Sequence, residues 1–400
     1  MKVLIDLDSL TPPLSGVGHY TRQLSGRLAL REEIQSLTGM IQGSRLKSDD
    51  IRTLVDSLNT DEKHAGFKKA ESHPGTRGET LAQLRRLARQ LPAARAIWHR
   101  WKSYQYHRSR SDLTGYIYWE PNFLLKPFDG PSVLTVHDLS FLVHPEFHPE
   151  SRLRQMDKSF GPSLEKASRI IAVSRFTRDA IRDQLDIPAE KIDIVTPAAG
   201  DDFGPTTAED KIDIKQRYKL PNQFILSVGT LEPRKNLSRL LSAYEMLPDK
   251  LRGEWPLVCV GGRGWNDKKL SADVERLQRR GELIRLSYVP QQDLPAITAA
   301  ASLMAYVSVY EGFGMPVAEA MACEVPVLTS LGTSMVEVAG QNAFYTDPYD
   351  IDQIAQTLRE ALESPERRAR FASNGPEQAR NFDWDISADH LISSFRRCES

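Results

Sequence analysis

Hydrophobic residues fall along this chain in short continuous runs, separated by stretches in which they recur every three or four positions. The first pattern is that of buried strands and the second that of amphipathic helices. In the amino-terminal half it predicts strands over 2–5, 116–119, 132–136, 169–173 and 192–196, with helices over 19–30, 151–167 and 176–185. In the carboxy-terminal half it predicts strands over 223–228, 256–260, 283–288, 303–309, 326–329 and 343–345. Helices are expected there over 236–246, 270–279, 316–323 and 351–363. Apolar strands alternating with helices imply parallel sheets covered on both faces. The stretch 197–205 is dense in Gly and Pro and reads as a linker between two such domains. The expected organisation is one domain over 1–200, a second over 205–380, and an amphipathic tail within 381–400 carrying Trp384, Leu391 and Phe395. Ligands of open α/β sheets sit outside the carboxyl ends of the strands, so two doubly wound domains predict a composite site in the cleft between them.

One stretch departs from this rhythm. Residues 44–111 are polar, and within 80–111 lie Arg85, Arg86, Arg89, Arg95, Arg100, Lys102, Arg108 and Arg110 with no Asp or Glu. Trp98, Trp101, Tyr104 and Tyr106 are interleaved with them. A basic stretch with aromatic residues suits contact with an anionic membrane surface. The alternative is a solvated helix face with its aromatics turned inward. Over the whole chain of 400 residues, 52 Lys and Arg balance 53 Asp and Glu, which speaks against a nucleic-acid binder. Cys259, Cys323 and Cys398 are far apart and offer neither a disulfide framework nor zinc spacing. The apolar run at 2–5 stops at Asp6, too short for a secretory signal. No run reaches the roughly 18 apolar residues of a spanning helix. A cytoplasmic protein is expected, with peripheral contact at the inner face of the membrane through 80–111.

The most informative segment runs from Ser308 to Ala322. A predicted strand ends in Glu311, Gly312 and Gly314 make a tight turn, and Pro316 stands at the first helical turn. Backbone N–H groups around Phe313, Gly314 and Met315, at the positive end of a helix dipole, make an anion site. Glu319 lies one turn inside that helix, flanked by Ala318, Ala320 and Met321, and a carboxylate in such surroundings wants a hydroxyl partner. Eight residues at a helical rise span roughly 12 Å. A hydrolytic carboxylate pair needs roughly 5–9.5 Å. The spacing suits contacts to two ends of one long polar ligand.

Other segments repeat the strand–loop–helix plan. Gly229-Thr230-Leu231-Glu232-Pro233-Arg234-Lys235-Asn236 places two adjacent cations after a strand, as a diphosphate leaving group requires, with Asn236 as a candidate helix cap. His137 ends the strand 132–136, and Asp138 either orients its ring or caps the next segment. Ser174, after the strand 169–173, reads as a helix N-cap. The loop holding Gly16 and Gly18 follows the first strand and lets backbone approach a phosphate. Asp6-Leu7-Asp8 spells D-x-D, a metal-binding pattern elsewhere, but the second domain carries its own diphosphate cations and no metal is expected.

Taken together, these residues resemble the retaining glycosyltransferases of family 4, which have the GT-B fold: an α/β architecture of two doubly wound, Rossmann-like domains facing an interdomain cleft. The similarity covers nearly the whole chain and is strongest from about 133 to 347. Its most specific part is E-x7-E, Glu311 to Glu319, joined by the segments 229–236, 136–139 and 170–174. The resemblance implies an amino-terminal acceptor domain and a carboxy-terminal nucleotide-sugar domain, with the tail helix crossing back to the first. Glu319 would bind the nucleotide ribose, and Glu311 would hold donor-sugar hydroxyls within the loop Gly312, Phe313, Gly314, Met315 and Pro316. Lys235 and Arg234 would neutralise the departing diphosphate, beside Gly229 and Thr230. Many relatives carry Arg where this chain has Thr230, and Arg234 is expected to supply that charge. His137 would touch the donor sugar, and Gly16 and Gly18 the phosphates. Within the family the chain is most similar to bacterial polysaccharide mannosyl- and rhamnosyltransferases. This implies a GDP-linked mannose or deoxyhexose donor, a saccharide or lipid-linked saccharide acceptor, and no cofactor. The same fold also hosts sugar-nucleotide epimerases and phosphorylases, and a noncatalytic subunit that binds a nucleotide sugar is the remaining alternative.

Overall fold

The computed structural model describes residues 1–59, 113–262, 268–287 and 289–398. Two sheets organise it. The first has the strand order β3-β2-β1-β4-β5-β6-β7. Its members are β1 (Lys2–Asp6), β2 (Ser36–Ile41), β3 (Ser44–Lys47), β4 (Ile117–Glu120), β5 (Ser132–Val136), β6 (Arg169–Ala172) and β7 (Ile192–Ile194). The second sheet has the order β10-β9-β8-β11-β12-β13. It comprises β8 (Ile225–Val228), β9 (Leu257–Val260), β10 (Leu283–Leu286), β11 (Leu303–Tyr306), β12 (Val327–Ser330) and β13 (Ala343–Thr346). All pairings are parallel except that of β2 with β3. The central strands are buried throughout because helices cover both faces: every residue of β5, β9 and β11 is buried.

In the first sheet the chain runs outward from β1 and returns to place β4 beside it; in the second, β8 and β11 stand in the same relation. These reversals open crevices at the strand carboxyl ends. The connections leaving β1, β8 and β11 lead to Gly16, Lys235 and Glu311.

Several sequence expectations shift. The first helix spans Gly16–Leu28 and starts three residues early, because Ser15 caps it by accepting from the Gly18 N–H at 3.4 Å. Gly16 and Gly18 are therefore inside the helix and not in the loop before it. The polar stretch from residue 44 opens with the antiparallel edge strand β3 and the helix Ser48–Asn59. The remainder, with 80–111, lies outside the described residues. Periodicity alone did not reveal β2 or the helices Ala208–Tyr218, Leu294–Ala300 and Pro365–Ala379. The last of these contains an internal proline, Pro376.

The connection 197–205 is packed, with Ala198 and Phe203 buried. The tail helix Trp384–Arg396 lies against the helix Gly16–Leu28. Trp384 donates to the Ala199 carbonyl at 2.8 Å, and Ser394 and Arg397 both donate to Asp193 at 2.6 Å. Among the described residues no helix is long and apolar enough to cross a membrane.

Candidate active site

The segment leaving β11 turns through Glu311 into the helix Met315–Ala322. Gly314 takes φ +97°, a left-handed conformation that favours glycine. Gly312 serves a different purpose. A methyl group built on it would lie 1.6 Å from the His137 carbonyl oxygen, so the backbones of the two halves touch here. The Ser334 hydroxyl pins the turn, donating to the carbonyls of Glu311 at 2.8 Å and Phe313 at 3.0 Å. Pro316 occupies the first helical turn, where its missing N–H does no harm.

The Glu311 carboxylate is buried and fully engaged. Arg234 donates to one oxygen at 2.8 Å; Lys235 at 2.7 Å and the Tyr306 hydroxyl at 2.9 Å donate to the other. Lys235 also reaches Tyr306 at 2.7 Å, and Arg234 reaches the Tyr310 carbonyl at 2.7 Å and Glu232 at 2.9 Å. Burial by itself would raise the Glu311 pKa, but Arg234 and Lys235 outweigh it and hold the carboxyl at about 2. Burial would likewise discharge Lys235 and Arg234, and Glu311 keeps both protonated. Two cations thus meet three carboxylates, Glu311, Glu232 and, at 3.9 Å from Arg234, Asp138.

Asn236 occupies the N-cap position of the helix Leu237–Glu245 but does not cap it. Its backbone is left-handed, at φ +61°. Its amide instead donates to the carbonyls of Val307 at 2.9 Å and Pro348 at 2.7 Å, tying the cation loop to the Glu311 loop. Gly229, at φ +150°, lies under the Lys235 stem, while Thr230 is exposed and apart from the Glu311 cluster.

Glu319 has a different environment. It lines a narrow cavity between the halves with His19, Arg22, Gln23, Asp202, Met315 and Trp384. No described residue hydrogen-bonds its carboxylate. Burial, helped by Asp202 and opposed by Arg22, raises its pKa to about 8. The two carboxylates of one strand–turn–helix unit therefore stand in opposite protonation states near neutral pH.

His137 extends from β5 beneath this turn. Its Nε2 lies 2.7 Å from the Pro121 carbonyl, which requires a proton on that nitrogen. Burial depresses its pKa, so the ring is neutral, with Nδ1 as acceptor. Tyr20 packs edge-on against it at 5.1 Å. Asp138 does not orient the ring. It accepts from the Ser140 N–H at 2.8 Å and the Ser140 hydroxyl at 2.6 Å, which starts the short helix Ser140–Val143. Ser174 caps the helix Arg175–Leu185 through the Thr177 N–H at 2.9 Å.

Gly16 faces Met315 across the cleft, 3.4 Å from a methyl built on it, whereas Gly18 packs against Ser9 and Leu14 within its own half. The D-x-D carboxylates are bridged by Lys126, whose Nζ lies 2.5 Å from Asp6 and 2.6 Å from Asp8. Among the described residues no His, Cys, Asp and Glu group could hold a metal ion.

The family profile "Glycosyltransferase Family 4" matches residues 45–199, and "Glycosyl transferases group 1" matches 209–378. The chain is 36% identical over 397 residues to the O-antigen chain mannosyltransferase B of Escherichia coli, covering 99% of this chain and 100% of that one. The chain belongs to the family-4 glycosyltransferases. Solved structures share the fold of this glycosyltransferase at low identity. WaaG, described as involved in lipopolysaccharide biosynthesis, superposes with TM-score 0.68 at 18% identity over 97% of this chain and 98% of its own. The Anabaena protein HepE, crystallised with UDP and glucose, gives 0.67 at 18% identity over 99% of both chains. The architecture is GT-B.

Tyr306, Glu232, Ser334 and Arg22 surround the glycosyltransferase's motif residues and escaped the sequence reading. Tyr306 had a usable signal, a polar atom closing an apolar strand. Arg22 had one too, as a cation one turn beyond the first helix's glycines. Glu232 and Ser334 lie in loops, where no periodicity marks them.

Proposed function

We propose that this glycosyltransferase moves a mannosyl group, with retention and without a metal ion, from GDP-mannose to a hydroxyl of a saccharide or lipid-linked saccharide. The reading is carried by Glu311, an ionised carboxylate fixed between Arg234 and Lys235 at the carboxyl ends of β8 and β11, one residue before the Gly312 whose backbone touches His137. Similarity to an O-antigen mannosyltransferase supports the sugar.

In this mechanism Glu311 and the acceptor nitrogen of His137 take donor-sugar hydroxyls, and Glu319 takes the ribose. Lys235 and Arg234 stabilise charge on the diphosphate as the anomeric C–O bond breaks. The departing phosphate oxygen takes the acceptor proton on the same face, so no carboxylate dyad is needed. Closure of the halves at Gly312 and His137 excludes water.

The basic stretch 80–111 is proposed to rest on an anionic membrane where a lipid-linked acceptor lies. Replacing Arg85, Arg86 and Arg89 by Glu should weaken binding to phosphatidylglycerol vesicles, and unchanged binding contradicts docking there.

A thermal-shift panel of GDP, UDP, ADP and dTDP tests the donor, since a ligand that binds only the native state raises the melting temperature. A shift with GDP, lost in Glu319→Ala, supports the reading. A shift with UDP alone overturns the donor base, and no shift at all overturns the nucleotide site.

A further inference from the structure

Arg22 is the cation in the cleft that the Glu311 cluster does not use. It lies on the helix Gly16–Leu28 of the amino-terminal half and is 4% exposed. Its Nε has no hydrogen-bond partner, and its one hydrogen bond among the described residues is a long one, 3.4 Å to the Leu58 carbonyl. None of the described carboxylates comes within ion-pair distance of it; Asp202, Asp201 and Glu319 act on it only from farther away. A buried guanidinium without a carboxylate is costly, and a fold that keeps one has a use for it.

The surroundings say what that use is. Arg22 lines the same interdomain cavity as Glu319, together with His19 and Gln23 from its own helix. Gly16, at the start of this helix, faces Met315 across the cleft, so the positive end of the helix dipole points at the same region. Across the cleft, Arg234 and Lys235 share their charge with Glu311, Glu232 and Asp138, so a diphosphate they stabilise has room for a further cation. The cavity measures about 10 Å³, room for a single water. A nucleotide therefore enters with the halves apart, and Arg22 is carried onto it as they close.

Resting on the reading that this cleft takes a nucleoside-diphosphate donor, we propose that Arg22 is a donor-binding residue supplied by the amino-terminal half, its guanidinium fork taking the phosphate oxygens next to the ribose. The donor site is then completed from both halves, and closure and charge neutralisation are one event.

The test is isothermal titration of GDP, and in parallel UDP, into wild type, Arg22→Gln and Arg22→Lys at several salt concentrations. Loss of a charged fork on phosphate should weaken nucleotide binding in Arg22→Gln by at least about tenfold. It should also flatten the salt dependence of the affinity, a readout that a packing role would not move. Arg22→Lys keeps the charge but not the fork, so it should keep the wild-type salt slope while recovering only part of the affinity lost in Arg22→Gln. Wild-type affinity in Arg22→Gln overturns the proposal. So does a folded Arg22→Lys whose salt slope is as flat as that of Arg22→Gln, because the retained charge would then not be what the nucleotide senses. Wild type that binds neither nucleotide overturns the donor reading and this proposal with it. Wild type that binds, with variants that do not differ from it, overturns this proposal alone.

Discussion

Gly312 and His137 are 175 residues apart in the chain and in backbone contact: a methyl on the glycine would lie 1.6 Å from the histidine's carbonyl oxygen. The Thr177 hydroxyl bonds the Gly312 carbonyl at 3.2 Å, and Glu337 takes the Arg175 N–H at 2.9 Å a few residues away. Gly312→Ala should force this seam open without touching either core. Misplacing reacting groups by about 1 Å costs on the order of 100-fold in rate. We expect a transfer rate lower by at least that factor, with a melting temperature close to wild type. An active Gly312→Ala enzyme would show that the seam does not form during turnover.

Glu311 and Glu319 should behave oppositely when mutated. Glu311→Gln removes the countercharge from buried Lys235 and Arg234. Breaking such a pair costs about 3–5 kcal/mol. Glu319 has no hydrogen-bond partner to lose among the described residues, so Glu319→Gln should not destabilise the protein. Urea denaturation of both variants at neutral pH distinguishes them, and equal losses would contradict the assignment.

Their pH dependences carry opposite signs. Glu311, held at about 2, lies below its unfolded value of 4.5. It contributes stability above the unfolded pKa that is lost as pH falls toward 2. Glu319, raised to about 8, binds its proton more tightly when folded. Its contribution is fully present below the unfolded pKa of 4.5 and is lost as pH rises through about 8. Stability curves of Glu319→Gln against wild type should therefore separate as pH rises from 5 to 8, with the variant gaining relative to wild type. Parallel curves would place Glu319 in water.

The D-x-D element should matter through Lys126 and not through a metal. Lys126→Met leaves Asp6, 3% exposed, without the ammonium that bridges it to Asp8. A destabilisation of about 3 kcal/mol is expected in urea melts. Excess chelator should leave the transfer rate unchanged, and abolition by chelator with recovery on adding Mn²⁺ would contradict metal independence.

What could be read from the sequence followed from periodicity. The strands β9 and β11 stand out as unbroken apolar runs because both faces are covered. The turn at 311–316 was legible from its glycines and proline. What stayed hidden depends on contacts between distant segments. That Gly312 meets His137, that Arg234 and Lys235 close on Glu311, and that Arg22 faces Glu319 are matters of how two sheets stand against each other. Edge elements such as β3, with its exposed residues, carry too little hydrophobic contrast to read. Asn236 looked like a cap by type, yet its side chain is drawn away by the Val307 and Pro348 carbonyls.

The most direct measurement is GDP release from GDP-mannose by the purified protein, with and without an α-mannosyl oligosaccharide on a lipid-like aglycone. Release should depend on the acceptor, yield an α-linked product by NMR, and fall at least about 100-fold in Lys235→Ala. Protein that binds GDP-mannose yet releases no GDP with any mannosyl acceptor would contradict the proposed transfer and make the chain a noncatalytic nucleotide-sugar binder.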